Sequence, residues 1–186
     1  MDKVYQDTLK YLGVKKEVDD KTKSAIEECI LEVQNAMSFR SIYKVSSVLV
    51  ENDTIKTQNV TFKSKSLSLH LKNAKKVILY SATLGASVDK ILNAYSKINV
   101  FKQVIIQAVA TAIIENKIDK EQDELSSVFK NYKIKSRFSP GYGDLSLDYQ
   151  GEILKELNAQ KNVGVYLNEN NILIPSKSVT AIIGLF

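Results

Sequence analysis

The segment from about Val100 to Lys117 constrains the fold more than any other part of this 186-residue chain. Its apolar residues fall on most sides of a helix rather than on a single face, and they are Val104, Ile105, Ala108, Val109, Ala112 and Ile113. A helix with so wide an apolar surface has to be covered by other elements. We therefore expect a central buried helix with the remaining helices and strands packed around it.

Four further helices are predicted from apolar spacing and end signals. The first runs from about Val4 to Leu12 and stops at Gly13, and the second follows Asp20 as a candidate N-cap. The apolar stripe of the second helix is Ile26, Ile30, Val33 and Met37. A third helix begins near Ser87 and is interrupted at Asn99, and a fourth covers residues 147 to 157.

The predicted strands are β-rich runs bounded by turn residues. Ile42 to Val50 and Ile55 to Phe62 form a predicted hairpin whose turn is Glu51 to Thr54. The other extended segments are Val77 to Ser81, Tyr132 to Phe138, Asn171 to Ile174 and Val179 to Phe186. Strands and helices do not alternate regularly, so we predict an α+β fold, with a twisted antiparallel sheet packed with helices.

The chain shows no repeats, low-complexity tracts or linker, so residues 1–186 are expected to form a single domain. Within it, residues 1–76 supply N-terminal helices and the hairpin, and residues 77–186 supply the ligand-binding part. No stretch reaches the roughly 18 apolar residues of a membrane span. The polar N-terminus does not resemble a signal peptide, and one cysteine excludes an internal disulfide. These features favour a cytoplasmic protein that does not bind membranes.

The formal net charge of +5 raises the possibility of nucleic-acid binding. The lysines are scattered, however, and the densest cluster, Lys130, Lys133 and Lys135, is short. We therefore predict no nucleic-acid partner, and a basic face would equally serve an acidic protein. Of the 26 basic residues only Arg40 and Arg137 are arginine. A rare arginine indicates a position that needs a planar guanidinium able to donate two hydrogen bonds at once, and this interpretation points to Arg137.

The sequence contains no recognisable catalytic or metal-binding arrangement. His70 has no partner at motif spacing, Cys29 lies in a helical pattern, and no cluster has metal-ligand spacing. The glycines form no phosphate-binding loop, which disfavours a Rossmann-type methyltransferase. Ser176-Lys177-Ser178 places an amine beside two hydroxyls, but its position after Pro175 favours a loop over a hydrolase site. The pattern is typical of a protein that binds a ligand, with no catalytic residue of its own.

The segment Arg137 to Asp144, RFSPGYGD, is the most distinctive motif. Pro140-Gly141 suits the centre of a type II turn, in which glycine takes a positive φ. Arg137 offers a guanidinium fork for a carboxylate, Tyr142 offers a ring and a hydroxyl, and the glycines could leave backbone N–H groups open to a ligand. An amino-acid nucleoside would suit this set, although a tight turn with a surface ion pair is the alternative.

The chain resembles the activation domain of cobalamin-dependent methionine synthase, and in particular its small free-standing relatives. The resemblance rests on RFSPGYGDLSLDYQ at residues 137–150, PSKSVTAIIG at 175–184 and ATLG at 82–85. It covers most of the chain from about Val77 onward and implies the fold of that domain. The first 76 residues are only generically compatible with it.

The resemblance implies that S-adenosylmethionine (AdoMet) is the ligand. Arg137 would bind the methionine carboxylate, the backbone around Ser139, Gly141 and Tyr142 would take polar groups, and Glu115 would face the amino group. The sequence departs from the family pattern at two points. Ile183 stands where the fused enzymes have a tyrosine near the ligand, and their N-terminal aspartate has no clear counterpart, with Asp19 and Asp20 as candidates.

The family's role implies an accessory component of methionine synthase, acting in trans in methionine biosynthesis. Such a component supports reactivation of oxidised cobalamin, which is carried by the partner, through one-electron reduction by a flavodoxin-like donor and methylation by AdoMet. The expected partner is the synthase core or another corrinoid protein. The alternative is a ligand-sensing or scaffolding module for a corrinoid protein that delivers no methyl group.

Overall fold

The computed structural model describes residues 3–186, which form an α+β fold with antiparallel sheets. Its helices are α1 Lys3–Tyr11, α2 Asp20–Ala36, α3 Lys65–His70, α4 Ala86–Ile98, α5 Val100–Val128, α6 Tyr149–Glu156 and α7 Ala159–Val163. Its strands are β1 Arg40–Ser47, β2 Leu49–Glu51, β3 Thr54–Lys56, β4 Thr61–Lys63, β5 Lys76–Thr83, β6 Tyr166–Leu167, β7 Leu173–Ile174 and β8 Ser178–Leu185. No helix within residues 3–186 is long and apolar enough to cross a membrane.

The central sheet has the order β1-β5-β8, with both pairings antiparallel. A segment over residues 133–138 lies along the other edge of β8, where the backbone N–H of Phe138 donates to the oxygen of Ile182 at 2.9 Å. The extended conformation predicted for residues 132–138 is confirmed from Lys133 onward, whereas Tyr132 lies in the turn that follows α5. Two smaller sheets, β2-β3-β4 and β6-β7, lie outside the central one.

The central sheet separates two apolar cores because alternate residues of each strand point to opposite faces. Ile78 and Tyr80 of β5 and Ile183 of β8 pack on one face, against the core built with α1, α2, α4 and α5. Leu79 and Ile182 pack on the other face, against the core built with the small sheet, α3, α6 and α7. Burial on both faces explains why β5 reads as a continuous apolar run.

Helix α5 is the central helix that the sequence predicts, with residues from Ile105 to Leu125 buried along its length. It begins where expected, since the side chain of Asn99 accepts a hydrogen bond from the backbone N–H of Lys102 at 3.0 Å. It continues to Val128 instead of ending near Lys117. Val104, predicted to be covered, is 51% exposed.

The predicted hairpin between Ile42–Val50 and Ile55–Phe62 is wrong, because these two segments do not pair along their whole length. Strand β1 pairs with the distant β5 along its whole length. The short strands β2 and β3 form a hairpin, and the predicted second arm turns back on itself as the antiparallel pair β3 and β4. Glu51 pairs with Thr54, so the turn has two residues, Asn52 and Asp53. The long-range pairing is favoured because it covers one edge of the doubly buried β5, which a local hairpin would leave open.

The N-cap of α2 is Asp19 rather than Asp20, because the Asp19 carboxylate accepts from the backbone N–H of Thr22 at 2.7 Å. These hydrogen bonds lower the pKa of Asp19. We expect Asp19→Ala to lower the melting temperature by about 2–4 °C, the usual effect of losing one cap in a domain of this size. Asp20→Ala, measured in the same calorimetric scans, should change it less. A larger effect at Asp20 would contradict this assignment.

Candidate functional site

The candidate site lies at the edge of β8 where the neighbouring chain leaves the sheet. Phe138 and Ile182 exchange two backbone hydrogen bonds, of 2.9 and 2.8 Å, and the chain then turns away at Ser139. Because these bonds alternate along an antiparallel strand, the backbone N–H and C=O of Thr180 point out of the same edge. The edge around residues 178–180 is thereby left facing a cavity instead of another strand.

The cavity has a volume of about 370 Å³, within the usual range of small-molecule sites. Helix α5 lines one side, the turn after Arg137 lines another, and β7 with the start of β8 closes the third. Its lining residues are Glu115, Asp119, Gln122, Ser136, Arg137, Ser139, Pro140, Tyr142, Gln150, Leu173, Ser178, Val179 and Thr180. Acidic, amide and hydroxyl groups thus surround a single guanidinium.

The Arg137 guanidinium forms three hydrogen bonds to side chains of α5. One terminal nitrogen donates to Glu115 at 2.9 Å and to Asp119 at 3.0 Å, and the other donates to Gln122 at 3.3 Å. The Arg137 side chain is 18% exposed, whereas those of Glu115 and Asp119 are 41% and 47% exposed. The guanidinium is therefore more buried than the two carboxylates it binds, and both carboxylates remain accessible to solvent.

The three acceptors lie on one face of α5 because residues four and seven positions after Glu115 fall on the same side of a helix. The extension of α5 beyond Lys117 therefore supplies Asp119 and Gln122 to the site. Tyr11, from α1, lies close enough for the negative charges of Glu115 and Asp119 to add to burial in raising the pKa of its hydroxyl. The site is acidic on its α5 side.

The turn after Arg137 has the predicted geometry. The N–H of Tyr142 donates to the oxygen of Ser139 at 3.1 Å, and Gly141 at the third position has a φ of 93°. The expectation that these backbone N–H groups are open to a ligand is wrong for two of them. Gly141 donates to the oxygen of Leu145 and Tyr142 to that of Ser139, so both are used within the turn.

The end of the motif fixes the turn to helix α3. Asp144 accepts from the Ser64 hydroxyl at 2.6 Å and from the backbone N–H groups of Lys65 and Ser66 at 2.8 and 3.0 Å. These hydrogen bonds hold the pKa of Asp144 well below its usual range. A β-carbon at Gly143 would lie 2.6 Å from the Ser66 hydroxyl oxygen, so glycine permits this close approach. The Gly-Asp pair is thus a structural anchor of the site.

Tyr142 lines the cavity and packs against a second aromatic ring outside the lining. The rings of Phe138 and Tyr142 meet edge to face with centroids 6.0 Å apart, and His70 lies 5.2 Å from Phe138. Tyr142 is 59% exposed, so its ring and hydroxyl are available to a ligand. The His70 ring is fixed by a 2.9 Å hydrogen bond between its Nε2 atom and the carbonyl of Ser136.

The structure brings four of the five predicted ligand residues to the cavity: Glu115, Arg137, Ser139 and Tyr142. Gly141 shapes the turn but does not line the cavity. Asp19 and Asp20, the N-cap and the first residue of α2, also lie outside it. Ile183 is 1% exposed and packs in the helix-side core, so it does not line the cavity either. The roles of these residues toward a ligand stay predictions.

Cys29 and Lys177, the other reactive side chains considered from the sequence, do not line this cavity. Cys29 is buried, and burial raises its pKa to about 11. The amine of Lys177 donates to Thr111 at 2.9 Å and to the carbonyl of Gln107, whereas the neighbouring Ser176 donates to Asp89 through its hydroxyl and its backbone N–H. Among residues 3–186, no group of three or more potential ligands could hold a metal ion.

Solved structures share this α+β architecture. One matching crystal structure is that of the MetH reactivation domain bound to AdoHcy, with a TM-score of 0.68. The match covers 92% of this chain and 67% of that chain, at 13% sequence identity. No family model and no curated protein matches the sequence. The similarity therefore establishes the α+β fold predicted from the sequence.

Proposed function

We propose that this protein binds AdoMet in the cavity around Arg137. We further propose that it acts as a reactivation module for the cobalamin of a methionine synthase core or another corrinoid protein. The observation that carries the proposal is the paired Arg137 and Glu115 beside the predicted turn, in a fold shared with a domain that was crystallised with AdoHcy. The protein would contribute to methionine biosynthesis by acting in trans.

The groups in the cavity fit an amino-acid nucleoside. A zwitterionic amino acid needs a cation for its carboxylate and an anion for its ammonium, and Arg137 and Glu115 supply both within 2.9 Å of each other. Binding exchanges partners: the ligand carboxylate takes the guanidinium, and the released Glu115 takes the ammonium. The exposed ring of Tyr142 and the strand edge at Thr180 are left for the nucleoside.

In this mechanism the protein contributes by orienting the bound ligand. Bound AdoMet would supply an activated methyl group on a sulfonium, which needs no general acid or base to be transferred. The residues of the chain hold the amino-acid end against α5 and expose the rest at an open cavity mouth. A corrinoid partner would approach that mouth, and positioning of two reactants in this way is itself a large source of rate acceleration.

A second candidate function is ligand sensing or scaffolding for a corrinoid protein without methyl delivery. It is favoured by Ile183, which is buried in the core at the position where the resemblance implies a ligand-facing tyrosine. A site without that hydroxyl can still hold the amino-acid end of the ligand, because the groups on α5 and the turn do not depend on it.

The experiment that separates these functions is reactivation in trans. A methionine synthase core lacking its own activation domain is inactivated by air, and this protein is then added with AdoMet and a flavodoxin-like reductant. We expect methionine formation to recover only when protein, AdoMet and reductant are all present. The readout is the rate of methionine formation before inactivation and after each addition.

The control is calorimetric titration of AdoMet into the protein alone. Binding without recovery of the core would favour the sensing or scaffolding function. Absence of binding would refute the AdoMet site itself, whatever the outcome with the core. Binding to heparin that falls steeply with salt, in the absence of AdoMet binding, would indicate a nucleic-acid binder instead.

A further inference from the structure

The charges of the cavity do not balance. Of its lining residues, three carry charge: Glu115 and Asp119 are acidic and Arg137 is basic. Both carboxylates bond to the same guanidinium nitrogen, at 2.9 and 3.0 Å, so one positive charge serves two negative ones. Within the lining, one carboxylate is therefore in excess.

A lysine outside the cavity reduces this excess only weakly. Lys3 lies 3.2 Å from the second oxygen of Asp119, but its side chain is 62% exposed and is not part of the lining. Ion pairs in water are screened and contribute little. The lining itself therefore keeps one excess negative charge, which the exposed Lys3 offsets only in part.

We propose that Asp119 makes this site selective for the sulfonium form of the ligand, AdoMet, over its neutral thioether product, AdoHcy (S-adenosylhomocysteine). The inference rests on the proposed function, since it assumes that the cavity takes this amino-acid nucleoside. AdoMet carries one negative and two positive charges, its carboxylate, ammonium and sulfonium. Arg137, Glu115 and Asp119 match these one for one, so the loaded site is neutral.

AdoHcy lacks the sulfonium charge and leaves Asp119 without a ligand partner. When the methyl group is transferred, the S–CH3 bond breaks and its electron pair stays on sulfur. The new bond to the methyl carbon uses an electron pair of the nucleophilic acceptor on the partner. The positive charge thus leaves with the methyl group, the site becomes net negative again, and release of the product is favoured. Charge selection would lower the fraction of sites that the product occupies between reactions.

The test compares AdoMet and AdoHcy by calorimetric titration at low ionic strength. We expect wild type to bind AdoMet about tenfold more tightly than AdoHcy, equivalent to about 1.4 kcal/mol. Asp119→Asn keeps the shape of the side chain and an acceptor for Arg137, and it should bring the two affinities to within about twofold, mainly by weakening AdoMet. Asp123→Asn, an exposed position one turn further along α5 and outside the lining, should leave the ratio unchanged.

The outcomes distinguish this inference from the proposed function. Equal affinities in wild type would overturn the selectivity while leaving AdoMet binding intact, whereas no binding of either ligand would overturn the proposed function. An unchanged ratio in folded Asp119→Asn would overturn the role of Asp119. If that variant does not fold, salt provides the second measurement: rising NaCl should weaken AdoMet more than AdoHcy, and equal weakening would contradict the proposal.

Discussion

Replacing Arg137 by lysine should weaken AdoMet binding by about tenfold or more, although the charge is preserved. The guanidinium binds Glu115, Asp119 and Gln122 through its two terminal nitrogens, a geometry that a single ammonium does not reproduce. A charge-assisted hydrogen bond is worth about 1.5–3 kcal/mol, so losing most of one costs about this much affinity. Titration calorimetry of AdoMet measures it.

The matched control is Arg40→Lys, which makes the same chemical change at the other arginine of the chain. Arg40 lies at the start of β1 and does not line the cavity, so its replacement should leave the affinity unchanged. Melting curves of both variants establish that they fold. If Arg137→Lys lowers the melting temperature but keeps the wild-type affinity, Arg137 is a clamp between the turn and α5 and not a ligand residue.

The sequence predicts best those features that are decided by neighbouring residues. The turn at Pro140-Gly141 follows from the fixed φ of proline and the positive φ open to glycine, and the structure has it. The start of α5 follows from the predicted interruption at Asn99, which the structure shows to be its N-cap, and the burial of β5 follows from its apolar run. Each of these signals is contained within a few residues.

The features that are not predicted from the sequence depend on contacts between residues far apart along the chain. The apolar pattern of α5 weakens after Lys117, but Ile118 and Leu125 are still buried and no glycine or proline ends the helix before Val128. Recognising that extension would have identified Asp119 and Gln122, at helical spacing from Glu115. The pairing of β1 with β5 likewise has no local signal, since a hairpin with β3 satisfies the same alternation of residues.

The ion pairs of the site are the clearest example of contacts that the sequence does not predict. The motif and the resemblance both predict Arg137 as a ligand residue, whereas Glu115 is predicted from the resemblance alone and in a separate role. Their direct contact across 22 positions requires α5 and the β8 edge to be placed against each other. Tyr80 of β5 and Ser41 of β1 both donate to Glu121, which ties α5 to the central sheet. Such placement comes from core packing on both faces of the sheet, which no motif encodes.

Replacing Gly143 by alanine should have the largest effect on stability among the residues of the motif. The φ of 56° at Gly143 already costs an alanine about 1–2 kcal/mol. Its β-carbon would in addition lie 2.6 Å from the Ser66 hydroxyl oxygen and 2.8 Å from the Ser66 β-carbon. The turn cannot move away freely, because Asp144 holds it to the start of α3 through three hydrogen bonds.

Gly13 provides a control that separates these two contributions. It has a φ of 70°, and a β-carbon there would meet nothing within 4 Å, so Gly13→Ala carries the backbone cost alone. In thermal unfolding we expect a loss of about 2–4 °C for Gly13→Ala and about 4–8 °C or more for Gly143→Ala. AdoMet affinity should fall only in the second variant, since displacement of the turn moves Tyr142 and Ser139 together. Equal losses of stability with unchanged affinity would mean that Ser66 yields to the new side chain, and that close packing on α3 does not position the ligand turn.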